Sequence, residues 1–121
     1  MLIENNPLAT KSYTFALKIV ALYKNIIRQE KEYVLSRQLL RSGTSIGANV
    51  AEANGAISKA DFSAKISIAY KESLETKYWI QLLKDSDYVS HAEAKILLSE
   101  ADELSKIMFS ILKTTRIDTS K

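Results

Sequence analysis

Hydrophobic residues in this chain recur every three to four positions through four separate stretches, the period of α-helices that each bury one side. In the first stretch Phe15, Ile19, Leu22 and Ile26 follow one another at helical spacing, with Ala16, Val20, Tyr23 and Ile27 beside them. Together they make an apolar face about 160° wide, broader than the usual stripe. Asn6 can cap this helix and Pro7 suits its first position, so a helix is predicted over 7–29. Leu17 and Ala21 stand apart, among charges on the polar side.

The second stretch contains "LLRSGTSIGANVAEA", rich in Ser, Thr and Gly. The period nonetheless runs straight through it: Leu35, Leu39, Ile46, Val50, Ala53 and Ile57 share one face. A helix over 33–54 is predicted, with Gly55 as its stop. Gly43, Gly47 and Ala51 are four residues apart and form a smooth ridge. Each mid-helix Gly costs about 0.5–1 kcal/mol relative to Ala, and close helix packing is the expected compensation. Arg37, Gln38, Arg41, Ser45, Asn49 and Glu52 fall opposite.

The third helix, predicted over 59–85, opens with Ser58 and Asp61 at the spacing of a capping box. Phe62, Ile66, Ala69, Ser73, Thr76 and Ile80 form one face, yet Tyr70, Leu74 and Tyr78 form a second, and Ile68, Leu82 and Trp79 lie elsewhere. A helix with no clean polar side is normally surrounded by protein, so this one points to oligomerisation. The fourth helix, predicted over 91–115, has Ser90 as cap with Glu93 three residues on, then Leu97, Ala101, Leu104, Met108 and Ile111. The polar tail "TTRIDTSK" is expected to fray. Short links between four comparable helices predict one all-α domain, an antiparallel up-down-up-down four-helix bundle. A pair of helical hairpins completed by dimerisation is the rival, disfavoured by four separate start and stop signals.

Composition agrees with helices: 121 residues contain three Gly and one Pro. With no Cys, disulfides and thiolate zinc sites are excluded. No signal peptide is read in "MLIENNPLATKSY" and no membrane span is expected, so a cytoplasmic location is expected. The formal charge is +3, but it is unevenly spread. Seven basic residues between Lys11 and Arg41 face only Glu30 and Glu32, while Glu100, Asp102 and Glu103 cluster late. One basic side would suit a polyanion such as RNA or DNA, bound through phosphates by Lys11, Lys18, Lys24, Arg28, Arg37 and Arg41.

Chemistry is sparse. The single histidine, His91, has no identifiable nucleophile partner. Glu72 and Glu75 lack the histidines of a di-iron bundle. "RSGTSIGAN" has no Lys after its second glycine and follows no strand, so it is no Walker loop. No catalytic residue, cofactor or metal ligand is expected. Glu72 and Glu75 should instead bond Lys65, Lys71 or an Arg of the second helix, and Asn49 and Glu52 should join the same interhelical network.

The stretch "QLLRSGTSIGANVAEA" followed by "SKADFSAKISIAYKESLETKYWIQLLK" resembles the four helix bundle proteins, also called 23S rRNA intervening-sequence proteins. The likeness runs from about Lys11 to Thr115. Its most specific parts are Arg41-Ser42, Ser45 to Asn49, Glu52-Ala53, Ala60-Asp61-Phe62, Lys71-Glu72, Glu75 and Tyr78-Trp79. The resemblance implies an antiparallel bundle assembling into a ring, typically a homopentamer, without enzymatic activity. The chain is similar also to accessory proteins of diversity-generating retroelements, whose basic pentameric barrels bind nucleic acid and a reverse transcriptase. Gly43, Gly47, Asn49, Glu52, Phe62, Glu72, Glu75, Tyr78 and Trp79 are thus expected in helix or subunit packing. The functions expected are a non-enzymatic ring that contacts RNA or DNA, or a protein–protein adaptor.

Overall fold

The computed structural model describes residues 6–119. Within them the chain forms four helices, α1 (Pro7–Gln29), α2 (Leu35–Asn54), α3 (Lys59–Asp85) and α4 (His91–Thr119), and no strand. Helices consecutive in sequence pack side by side, and α4 returns to α1 along a thinner seam, while the backbones of the diagonal pairs stay apart. This is an antiparallel four-helix bundle. The first five and last two residues of the predicted domain lie outside the described part.

Each start has its own cap. Asn6 Oδ1 accepts the Leu8 N–H at 2.9 Å, Ser58 Oγ that of Asp61 at 3.0 Å, and Ser90 Oγ that of Glu93 at 3.1 Å. At α2 the cap is Glu32, outside the helix. Its carboxylate accepts the N–H groups of Val34, Leu35 and Ser36 at 2.7–2.9 Å. Lys31, at φ 55°, turns the chain so that this carboxylate lies over the helix end. The helix therefore begins two residues later than its sequence pattern suggests, leaving Tyr33 and Val34 exposed in the link. Toward the other end of the chain, α4 runs on to Thr119, into the tail expected to fray, because no Gly or Pro stops it before then.

The predicted stripes meet in one core. Phe15, Ile19, Leu39, Ile46, Ile66, Ile80, Leu104 and Met108 are all fully buried. Ile57 is the exception at 93% exposed: the helix stops at Asn54, so the period that seemed to include it no longer applies. Gly55 follows at φ −99°, a conformation open to any residue, so the stop does not depend on glycine. Two hydroxyl pairs cross the core. Ser42 and Thr76 join α2 to α3 at 3.0 Å, and Ser73 and Ser105 join α3 to α4 at 2.7 Å.

Gly43 and Gly47 sit on the side of α2 that meets α1. A Cβ on Gly43 would stand 2.9 Å from both Cγ atoms of Ile19, and one on Gly47 would stand 3.3 Å from the Ser12 carbonyl oxygen. Ile19 is β-branched and fully buried, so it has nowhere to retreat. Gly43→Ala should destabilise the bundle by about 1–3 kcal/mol despite the better helix propensity of Ala, and Gly47→Ala by less. Urea unfolding followed by circular dichroism measures both.

A second expectation concerns Glu32. Burial opposes its ionisation, but hydrogen bonds from the Leu35, Ser36 and Val34 N–H groups outweigh it and hold the carboxyl below its ordinary range. A lowered folded-state pKa contributes stability above the unfolded pKa, and that contribution disappears as pH falls through the folded value. Glu32→Gln should cost about 1 kcal/mol at neutral pH. The difference from wild type should vanish in acid, as read from melting curves across pH.

Candidate functional site

The six basic residues singled out in the sequence do not form one surface. Lys11 and Lys18 reach from α1 across the thin seam to Glu103 and Glu100 of α4. The basic first helix and the acidic fourth are thus partners, and the charge asymmetry read along the sequence is cancelled where these helices meet. Arg41 is likewise engaged, bonding both Glu72 and Glu75 of α3. Lys24, Arg28 and Arg37 remain. They are exposed, occupy the last two turns of α1 and the first turn of α2, and among the described residues make no ion pair.

Arg41 organises the α2–α3 face. Its guanidinium meets Glu72 at 3.2 Å and also holds Glu75, whose Oε2 accepts the Trp79 indole N–H at 2.9 Å. These four side chains, three of them half-buried, form one chain of charge-assisted bonds. The Trp79 N–H and the Arg41 guanidinium together hold the Glu75 carboxyl below the usual carboxylate range. About two to three turns nearer the other end, Lys65 bridges to Glu52 at 2.9 Å. Asn49 does not join this network: its amide donates to Ser45 O at 2.9 Å within its own helix, since its side chain is too short to reach past that carbonyl. Phe62 is half-buried against the core.

Two apolar grooves flank the bundle. Between α1 and α2 the small residues Ala9, Ala16, Gly47, Ala48 and Ala51 line a groove of about 360 Å³, with Tyr13 on its edge. Asn54 closes one end. Because Asn6 Oδ1 is committed to the Leu8 N–H, Asn6 Nδ2 donates to Asn54 Oδ1, and the buried Asn54 Nδ2 has no partner among the described residues.

The second groove, of about 310 Å³, runs between α3 and α4 past Tyr70, Leu74 and Phe109. It is crossed by Asp102, whose carboxylate takes both Lys106 at 3.1 Å and Lys77 at 3.2 Å. Those two lysines, Lys106 foremost, keep Asp102 ionised below its ordinary range. Sequence reasoning missed this lysine-rich face because charge was summed by segment. The signal was present in the seven-residue spacings Lys77–Lys84, Lys95–Asp102 and Lys106–Lys113, which put each pair on one helix side.

Among the described residues no three His, Asp or Glu side chains converge as a ligand set, and no helix is long and apolar enough to cross a membrane. His91 is exposed at the first turn of α4.

The family model for the 23S rRNA-intervening sequence protein matches residues 4–110. The chain belongs to this family. A crystal structure described as a protein of unknown function from the S23 ribosomal protein family, from Bacteroides thetaiotaomicron VPI-5482, superposes with a TM-score of 0.86. It is 45% identical, over 88% of this chain and 98% of that one. No curated protein matches the chain. The matched segment of this intervening-sequence protein contains the α2–α3 network and both grooves.

Glu75 supplies a test of the network. Arg41→Gln should free the carboxylate from its cation and move its titration, followed through Trp79 fluorescence, to higher pH. Stability should fall by no more than about 1 kcal/mol, because Arg41 is largely solvated.

Proposed function

We propose that the protein is a non-enzymatic helical scaffold that assembles with copies of itself into a ring. The observation that carries this reading is the exposure of apolar side chains on the diagonally opposed helices α1 and α3, beside those that α4 exposes at Ile96 and Phe109. Tyr13, 66% exposed, and Leu17 stand on α1; Ile68 and Tyr78, the latter 60% exposed, stand on α3. A patch on one corner that docks on a different patch of the next copy makes a head-to-tail contact, which closes into a ring when the rotation between copies closes and otherwise runs on as a filament. The groove of small residues beside Tyr13, with the unspent Asn54 donor at its end, suits the close approach of a neighbour's helix. Leu17, stranded among charges in the sequence, gains a role as part of that seam. Five copies, the number the family resemblance suggests, would carry about +15 in all.

Light scattering tests the reading. Wild type at micromolar concentration should have a mass several times the 13.6 kDa of one chain, and Leu17→Glu should lower it without unfolding the bundle. A monomeric wild type would end it.

A second reading, phosphate contacts to RNA or DNA, is favoured by Lys24, Arg28 and Arg37 gathered at one end of each bundle. A ring would repeat that cluster. Replacing all three with Gln should weaken binding of a single-stranded RNA and flatten the log–log salt dependence by roughly 2 in slope, about 0.7 for each lost contact. Affinity insensitive to salt would exclude phosphate contacts as its source.

A further inference from the structure

The face between α3 and α4 combines an apolar centre with basic borders. Its centre is apolar: Tyr70 and Phe109 lie with ring centroids 6.0 Å apart, Phe109 is 54% exposed, and Leu74 stands beside them. Its borders are basic. Lys77 and Lys106 flank the groove, Lys84 continues the row along α3, and Lys95 and Lys113 continue it along α4. Asp102 crosses the middle, and Lys84 has Asp85 beside it at 3.4 Å. Lysine is therefore in clear excess on both sides of a greasy cleft.

We propose that this groove docks an amphipathic helix of a partner protein, one that offers two bulky apolar side chains a turn apart and carboxylates on both flanks. The proposal rests on the scaffold reading above and names the partner that the scaffold would hold. The open groove of about 310 Å³ leaves apolar side chains of a partner room to lie against Tyr70, Leu74 and Phe109. Side chains at i and i+4 of a helix have the matching separation. Charge complementarity selects acidic flanks. It also argues against a second copy's α1 corner as occupant, because Tyr13 and Leu17 are accompanied there by Lys24, unpaired among the described residues, and by no free carboxylate of α1. Leu74 in the groove fits a peptide better than a polyphosphate, which has no use for an aliphatic side chain.

Fluorescence anisotropy with the full chain tests this. The probe is a stapled helical peptide carrying Leu and Phe one turn apart with Glu on both flanks; its counterpart carries Lys in place of Glu. The Glu peptide should bind at least about tenfold tighter than the Lys peptide. Lys106→Glu with Lys113→Glu should remove that preference, and Phe109→Ser should weaken the Glu peptide at least about tenfold while circular dichroism still shows a folded helical bundle. Equal affinity for the two peptides would overturn the proposal. So would displacement of the peptide by a single-stranded RNA whose binding the Lys106 and Lys113 variants abolish, which would make this a nucleic-acid face. A drop in assembly mass with Phe109→Ser would overturn it too, by assigning the face to a seam between copies. A monomeric wild type that still bound the Glu peptide selectively would sink the ring alone and leave the groove assignment standing.

Discussion

The approach of the Gly43 backbone to Ile19 sets how close α1 and α2 can come, and the rest of the bundle is arranged around that closeness. A helix that presents no side chain at one point lets a β-branched neighbour rest directly on its backbone. The stripe of α1 can then be wide, because α2 covers it at short range, and α3 and α4 complete the enclosure. Where α1 meets α4 no such closeness exists. There the seam is spanned by long lysine and glutamate side chains, with Phe15 and Leu104 beneath them. The bundle is thus tight on one side and laced by charge on the other.

Much of this was legible in the sequence, because period is a local property. The core positions Phe15, Ile19, Leu39, Ile46, Ile66, Ile80, Leu104 and Met108 each follow from spacing alone. Caps at Asn6, Ser58 and Ser90 were readable for the same reason, since donor and acceptor lie within three residues. The Glu32 cap was not, because glutamate caps a helix from outside only when the backbone turns to bring it there, and nothing in the residue type announces the left-handed Lys31. Ile57 was misplaced by the converse error, a period continued past the point where the chain leaves the helix.

The candidate surfaces were harder, because a surface is a sum over helices. Lys18 and Glu100 are 82 positions apart, so no windowed count of charge can see them neutralise one another. The lysine rows of α3 and α4 each look unremarkable alone and become a border only when antiparallel packing sets them on either side of Tyr70 and Phe109. The apolar excess of α3, by contrast, is carried by one helix, and it was visible before any partner helix was known.

The two hydroxyl pairs inside the core have a further consequence. Sliding α3 by a turn against its neighbours would part Ser42 from Thr76 and Ser73 from Ser105. Each hydroxyl would keep its bond to a carbonyl of its own helix, so shear forfeits the two cross-helix bonds, about 0.5–1.5 kcal/mol apiece. These oxygens act as indexing pins: greasy stripes alone would tolerate helices at several heights, whereas paired hydroxyls favour one. Any larger object built from such units inherits a fixed pitch from its smallest internal bonds.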